Sequence, residues 1–340
     1  VNPCPVASAN LAPSDRSLPD MRVDPCMAER LRGGDLAASI RDRLSDHVDR
    51  LAARGHRPTL ATIHMGTDPG AATYVEMKQR DCDRLGVDGR HIDIDADADA
   101  RALYDTIERL NADPEVDGIM IQDDTPAHVD WMSAVRRIDP TKDVDGLHPD
   151  NLGRVLVGDP RFVPCTPLGI ERLLIANGIT VEGADVAIVN HSNIVGKPLA
   201  NLLVQKTDGA AGAAAKAATA APNATVTVCH SATEDLTAKT RAADVVVVAV
   251  GILEFLDGSM ITEGTAVIDV GVSTVERENG EREQVGDVEV ETVDPKASHL
   301  TPNPGGVGPM TRAMLIHNTV RAAGLRADID RGLLPDQVSS

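Results

Sequence analysis

Aromatic residues are nearly absent: one Trp, two Tyr and two Phe occur in 340 positions. Stacking platforms for single-stranded nucleic acid need several such rings, so that class is excluded. Lysine is scarce as well, seven against 26 arginines, and these bases face 37 aspartates and 15 glutamates. A formal net charge of −19 leaves no electrostatic footprint for a phosphate backbone. The longest apolar run, Val245 to Leu253, has nine residues, about half of the ~18 to 20 that a membrane span requires. Cys4, Cys26, Cys82, Cys165 and Cys229 are odd in number and scattered, with no CxxC pair and no histidine at zinc spacing. Neither a disulfide framework nor a metal site is expected. The N-terminal residues contain no apolar stretch of the secretory kind. A cytoplasmic protein is expected, with no nucleic-acid or membrane partner. The carboxylates run along the whole chain, as on a surface that repels itself at low salt and is screened at high salt. Salt adaptation is the reading that follows.

Residues 1–28 carry prolines and polar residues without apolar periodicity and are expected to form a disordered extension. Helical spacing begins near Asp35 and stops at Gly55; Thr59 to Met65 reads as a strand, Thr73 to Leu85 as a helix and His91 to Ile94 as a strand. Ala100 to Leu110 is a predicted helix and Gly118 to Ile121 a strand. After the Pro-rich joint Phe162 to Pro167 a second alternating series follows. Its predicted helices are Leu168 to Ala176 and Pro198 to Gln205; its strands are Val186 to Val189, Thr225 to Cys229, Val245 to Val250 and Ala266 to Val270. Alternation implies parallel sheets, an α/β fold. Two domains are expected: 29–150 with a returning C-terminal helix over 309–325, and a Rossmann-like unit over 151–308. The Ala/Gly-rich insert from Thr207 to Pro222 reads as a surface loop or frayed helix, and 326–340 as a flexible tail.

Five short constellations can carry chemistry. Tyr74 and Lys78, four apart on a helix, project from one face, where a lysine in a cleft can move a proton. Gln122 follows a strand at its carboxyl end and faces the crevice there. Lys142 to Pro149 holds Asp143 and Asp145 around a turn at Gly146; no further ligands flank them for a metal. Asn190, His191, Ser192, Asn193, Ile194, Val195 and Gly196 join a strand to a helix, where backbone amides can receive a pyrophosphate. Pro304, Gly305 and Gly306 belong to a Gly/Pro-dense run that permits close backbone approach.

In this order the motifs resemble the bifunctional methylenetetrahydrofolate dehydrogenase/methenyltetrahydrofolate cyclohydrolase (FolD) family, collinearly from about Leu31 to Ala323. The most specific pieces are Tyr74-Val75-Glu76-Met77-Lys78, Lys142-Asp143-Val144-Asp145-Gly146, Pro164-Cys165-Thr166-Pro167, Ser192 to Pro198 and Pro304 to Thr311. The resemblance implies an N-terminal catalytic domain and an NAD(P)-binding Rossmann-like domain, active on folate in one-carbon metabolism as a homodimer. It implies folate stacked on Tyr74 and gripped by Asp145, with Pro304, Gly305 and Gly306 beside it. It implies that Lys78, tuned by Gln122, assists hydrolysis of the methenyl bridge. The nicotinamide cofactor, NADP or alternatively NAD, would lie along Asn190 to Gly196 with His230, Ser231 and Gly251.

Three positions depart from the family pattern. Asp123-Asp124 stand where an apolar, proline-containing loop usually follows the Gln, and are expected to favour the ammonium form of Lys78. Asn190-His191 replace Gly-Arg, and Ala232 replaces an Arg, so two cations that meet a 2′-phosphate are missing and discrimination for NADP is expected to be poor. Alternatives are a paralogue retaining one activity or acting on a modified pterin, and a catalytically quiet folate-binding dimer.

Overall fold

The computed structural model describes residues 27–67, 69–206, 222–276 and 282–327, with side chains for all of these except 69–74, 276, 282 and 283. In chain order the elements are β1 (Glu29–Arg30), α1 (Gly33–Ala52), β2 (Thr59–His64), α2 (Pro69–Leu85), β3 (Asp88–Asp93), α3 (Ala100–Ala112) and β4 (Gly118–Ile121). Then come α4 (Trp131–Val135), α5 (Pro149–Leu156), α6 (Cys165–Ala176), β5 (Asp185–Val189), α7 (Gly196–Leu203), β6 (Thr225–Cys229) and α8 (Leu236–Arg241). The chain continues through β7 (Val245–Val248), β8 (Ala266–Asp269), β9 (Ser273–Glu276), β10 (Arg282–Val285), α9 (Val290–Val293), β11 (His299–Leu300) and α10 (Val307–Arg326).

Two parallel sheets result. The first has the order β3-β2-β4, and the second β1-β11-β8-β7-β5-β6. An antiparallel hairpin, β9 with β10, stands apart from both. Along β7, Val245 and Val247 enter one apolar cluster while Val246 and Val248 enter another. A continuous valine run is thus buried on both faces, the signature of an enclosed parallel strand. A third cluster, with Ala61, Ile63, Ile107 and Ile119, lies between the first sheet and α3. The largest cluster joins Leu44 and Val48 of α1, Leu168 and Leu173 of α6, and Met310 and Met314 of α10 to strands of both sheets. Helix α10 is apolar around most of its girth and packs against α1 and α6, as a helix enclosed by its neighbours must.

Several boundaries differ from the sequence reading. The second sheet has six strands rather than four, because β1 and β11 pair in parallel through only two residues each, Glu29 with His299 and Arg30 with Leu300. A domain boundary at residue 29 assigns β1 to the first unit, whereas its hydrogen bonds lie in the second sheet. Ala28 is also fixed there, its N–H donating to the Asp294 backbone and side chain. Helix α7 begins at Gly196 and takes Pro198 into its first turn, where the missing N–H would have no intrahelical partner anyway. Residues 1–26 of the expected extension, 207–221 of the insert and 328–340 of the tail lie outside the described residues. No described helix is long and apolar enough to cross a membrane.

Candidate active site

The carboxyl end of β4 and the loop after β5 meet at an open cleft of about 1150 Å³ lined by Lys78, Gln122, Asp145, Ile194 and Arg312. Helix α2 delivers Lys78, only 7% exposed, and its ammonium donates to Gln122 Oε1 at 2.6 Å and to Met120 Sδ at 3.2 Å. Gln122 is held because its N–H continues the ladder, donating to Ile63 O at 2.9 Å. Burial brings the Lys78 amine down to about 8, against the pull of Asp145, Cys165 and Asp123 and with the help of Arg312. Burial also pushes the Asp145 carboxyl up to about 6, reinforced by Asp143 and opposed by Lys78 and the Cys165 thiol. An amine and a carboxyl that both exchange protons near neutrality therefore share one cleft.

As expected, a carboxylate of this loop favours the ammonium form of Lys78: Asp123 pulls in that direction, although burial has the larger and opposite effect. Asp124 Oδ2 meets His64 Nε2 at 3.1 Å.

Other members of the Lys142–Gly146 motif shape the turn. Lys142 Nζ donates to the carbonyls of Leu110, Asn111 and Asp113 at 2.7–2.9 Å, closing the end of α3. Asp143, fully enclosed, accepts from the N–H groups of Leu147 and His148 and from Asn151 Nδ2. Gly146 has φ +77°, and a Cβ there would lie 2.8 Å from Pro164 N. The tight turn leaves Asp145 facing the cleft.

The strand-to-helix loop after β5 is braced from within. Asn190 Nδ2 donates to Ala249 O at 2.5 Å, while its Oδ1 accepts from the N–H groups of Ser192 and Gly196. Ser192 Oγ accepts from Val195 N–H, and Lys197 Nζ donates to Asn193 Oδ1. A Cβ on Gly196 would lie 2.1 Å from Asn190 O, so the loop closes only around glycine. Ile194 reaches the Lys78 cleft. At the mouth, exposed His191 and His230 have ring centroids 4.9 Å apart, and Ser231 is exposed in the turn after β6. Gly251, with φ +67°, donates to Asp287, which also accepts from the N–H groups of Val250 and Ile252. Exposed groups at the ends of three adjacent parallel strands suit a dinucleotide. Three of the loop amides, however, are already used internally.

Pro304, Gly305 and Gly306 line an adjoining cavity of about 780 Å³ that shares Val272, Gln284 and Arg312 with the cleft. Tyr74 belongs to α2, but its side chain lies outside the described residues. The structure therefore brings together Lys78, Gln122, Asp145 and Ile194, with Pro304–Gly306 next door. His191, His230, Ser231 and Gly251 lie outside the cleft lining, at the carboxyl ends of β5, β6 and β7. Sequence reasoning missed two cleft residues. Arg312 on α10 is anchored to Asp81 Oδ2 at 3.0 Å, and its only sequence signal is a cation directly after the Gly/Pro run. Trp131, the sole Trp, presents a buried indole N–H with no protein partner.

Residues 31–145 match the family model described as the tetrahydrofolate dehydrogenase/cyclohydrolase catalytic domain, and residues 164–327 match the NAD(P)-binding domain of the same family. The bifunctional protein FolD of Natronomonas pharaonis is 54% identical over 308 residues, 90% of this chain and 100% of that protein. FolD 1 of Haloarcula marismortui is 53% identical, over 89% of this chain and 99% of its own length. Among solved structures, the FolD enzyme of Campylobacter jejuni is 38% identical with a TM-score of 0.78, covering 88% of this chain and 99% of that one. The Trypanosoma brucei enzyme, solved with NADP and an inhibitor, is 34% identical with a TM-score of 0.80 over the same shares. With both domains matched in order and full-length relatives above half identity, the chain belongs to the tetrahydrofolate dehydrogenase/cyclohydrolase family.

Proposed function

We propose that the chain catalyses both reactions of its family: NAD(P)-dependent oxidation of 5,10-methylenetetrahydrofolate to the 5,10-methenyl form, and hydrolysis of that form to 10-formyltetrahydrofolate. The observation that carries this reading is the buried Lys78 amine, 2.6 Å from Gln122 and sharing its cleft with Asp145 and with Ile194 of the nucleotide loop. A nicotinamide bound at the ends of β5, β6 and β7 supplies a hydride acceptor. The chain's own task in that step is to hold the folate bridge carbon in line and to exclude water, which is worth most through proximity. Asp145 accepts hydrogen bonds from the pterin ring, and the free Trp131 indole N–H donates to the substrate across the cleft. In the hydrolytic step water adds to the bridge carbon and Lys78 takes its proton. The remaining hydroxyl proton passes to N5 as the bond from N5 to carbon breaks, leaving the formyl group on N10. Gln122 keeps the amine aimed at that carbon.

Lys78→Met removes the proton acceptor and is expected to abolish hydrolysis above the spontaneous rate while folate still binds. Enzymatic methenyl hydrolysis surviving in that variant overturns the assignment. NADP is the proposed cofactor, with NAD accepted nearly as well because His191 and Ala232 offer no fixed cation. The same reading makes the protein a cytoplasmic homodimer. Support comes from the buried free thiols of Cys82, Cys165 and Cys229, and from the edge strand β6, which exposes Val228. Val228→Lys is expected to yield monomers by light scattering; an unchanged mass places any interface elsewhere.

A further inference from the structure

Outside the cleft, at the carboxyl ends of β2 and β3, four polar side chains share one face of the first sheet. The parallel register sets Thr62 opposite His91 and His64 opposite Asp93, and residues two apart on a strand point the same way. His64 Nδ1 and His91 Nε2 each lie 3.0 Å from Asp93 Oδ1. These three atoms fall within 4.8 Å of one another. The far nitrogen of each ring is also engaged: His64 Nε2 by Asp124 Oδ2 at 3.1 Å, and His91 Nδ1 by Thr62 Oγ1 at 3.0 Å.

That second ring of partners separates a built site from two histidines that happen to be neighbours. A metal-bound imidazole typically has its other nitrogen held by a carboxylate, hydroxyl or carbonyl acceptor, which fixes the tautomer and aims the lone pair. Both imidazoles here are held in this way, one by a carboxylate. Metal–ligand bonds of about 2.0–2.2 Å put tetrahedral ligands ~3.3 Å apart, so the two His–Asp spacings must open by a few tenths of an ångström. The His–His spacing, within 4.8 Å, must close toward that value. Asp93 is 69% exposed, whereas the imidazoles are 15% and 21% exposed. Solvent therefore reaches the site from one side and leaves a coordination position for water. Two imidazoles with one carboxylate favour zinc-class first-row cations over magnesium or calcium, which prefer all-oxygen shells.

We propose that His64, His91 and Asp93 form a binding site for a zinc-class divalent cation, with Asp124 and Thr62 orienting the two imidazoles. His64, His91 and Asp93 lie outside the lining of the Lys78 cleft, but Asp124 lines that cleft and so joins the two. A bound cation clamps β2, β3 and that loop through His64.

The test uses the full chain, stripped with a chelator and titrated with CoCl₂, then with ZnCl₂ in competition. One equivalent of Co²⁺ is expected, with visible d–d bands that Zn²⁺ bleaches. His91→Gln and Asp93→Asn should each weaken Zn²⁺ binding by at least about 100-fold. Asp124→Asn removes no metal ligand, so a loss of about 10- to 100-fold there reports the orienting role. Zn²⁺ should raise the melting temperature of the parent chain but not that of His91→Gln, whose metal-free melting temperature matches the parent. Stoichiometric binding that survives both His91→Gln and Asp93→Asn overturns the proposal, as does a parent chain that binds Zn²⁺ no more tightly than His91→Gln.

Discussion

Lys78 offers a quantitative prediction, because a proton acceptor is active only as the free amine. With the amine brought down to about 8, roughly a tenth is unprotonated at pH 7 and half at pH 8. Enzymatic methenyl hydrolysis should therefore rise about fivefold from pH 7 to 8, less than twofold from 8 to 9, and then level off. A lysine titrating at its ordinary ~10.4 would instead give close to tenfold per unit across the same range. Asp123→Asn supplies the perturbation. Its carboxylate favours the ammonium form and is exposed, so solvent screening limits it to at most about 1 kcal/mol, or ~0.7 pH unit. Removing it lowers the amine further and moves the rising limb to lower pH. The rate at pH 7 should gain up to about fourfold, while the rate at pH 9 barely changes. In molar KCl the difference between variant and parent should shrink. The assay is the decay of methenyl absorbance, corrected for spontaneous hydrolysis at each pH. A limb still rising tenfold per unit at pH 9, or one that Asp123→Asn moves upward, refutes the reasoning.

Restoring a cation at the nucleotide mouth with Ala232→Arg should raise the NADP-over-NAD ratio of kcat/KM by tenfold or more, since a charge-assisted hydrogen bond is worth about 1.5–3 kcal/mol. A strong NADP preference in the parent that persists in His191→Ala would assign the reading to another cation. His317, which burial brings down to about 3 with help from Arg321 and Arg172, makes the fold acid-sensitive. Its folded value lies below the unfolded ~6.5, so its contribution is complete above that pH and drains away as pH falls toward 3. His317→Gln should flatten the loss of melting temperature between pH 6.5 and 4, and an unchanged slope there rejects the assignment. The net charge of −19 predicts a melting temperature that climbs between 0.1 and 2 M KCl as the Debye length shrinks from about 10 Å to under 3 Å. A flat or falling curve removes self-repulsion from the account.

Elements that bury a long pattern were legible in the sequence. Val245 to Val248 is an apolar run bounded by turns, and Gly118 to Ile121 was placed to the residue. Strands β1 and β11 were not legible, because two residues carry no periodicity and their pairing is a choice made by the sheet around them. The β9–β10 hairpin is polar and pairs with neither sheet, so the hydrophobic pattern is silent there. At the site, helix spacing and strand-end position made Lys78 and Gln122 candidates, and only the family resemblance gave them roles. Arg312 was hidden because its partners, Asp81 and Met77, are more than 200 residues away. The His64–His91–Asp93 group was hidden for a related reason: cross-strand register, not spacing along the chain, brings it together.

Because β1 lies in the second sheet, the polypeptide begins its described course on one side of the molecule before building the other. It then returns through α10 to pack against α1. The link is tight at its start: Gly33 N–H donates to Gly305 O, and a Cβ on Gly33 would lie 1.9 Å from Gly306 O. Severing the chain at the sequence boundary near residue 150 would leave one fragment without an edge strand and the other without its central helix. Such a cut should destabilise both pieces, because the core shared by α1, α6 and α10 would be divided between them. The cleft walls are therefore coupled through the Gly33–Gly306 contact and through the packing of α10 on α1 and α6.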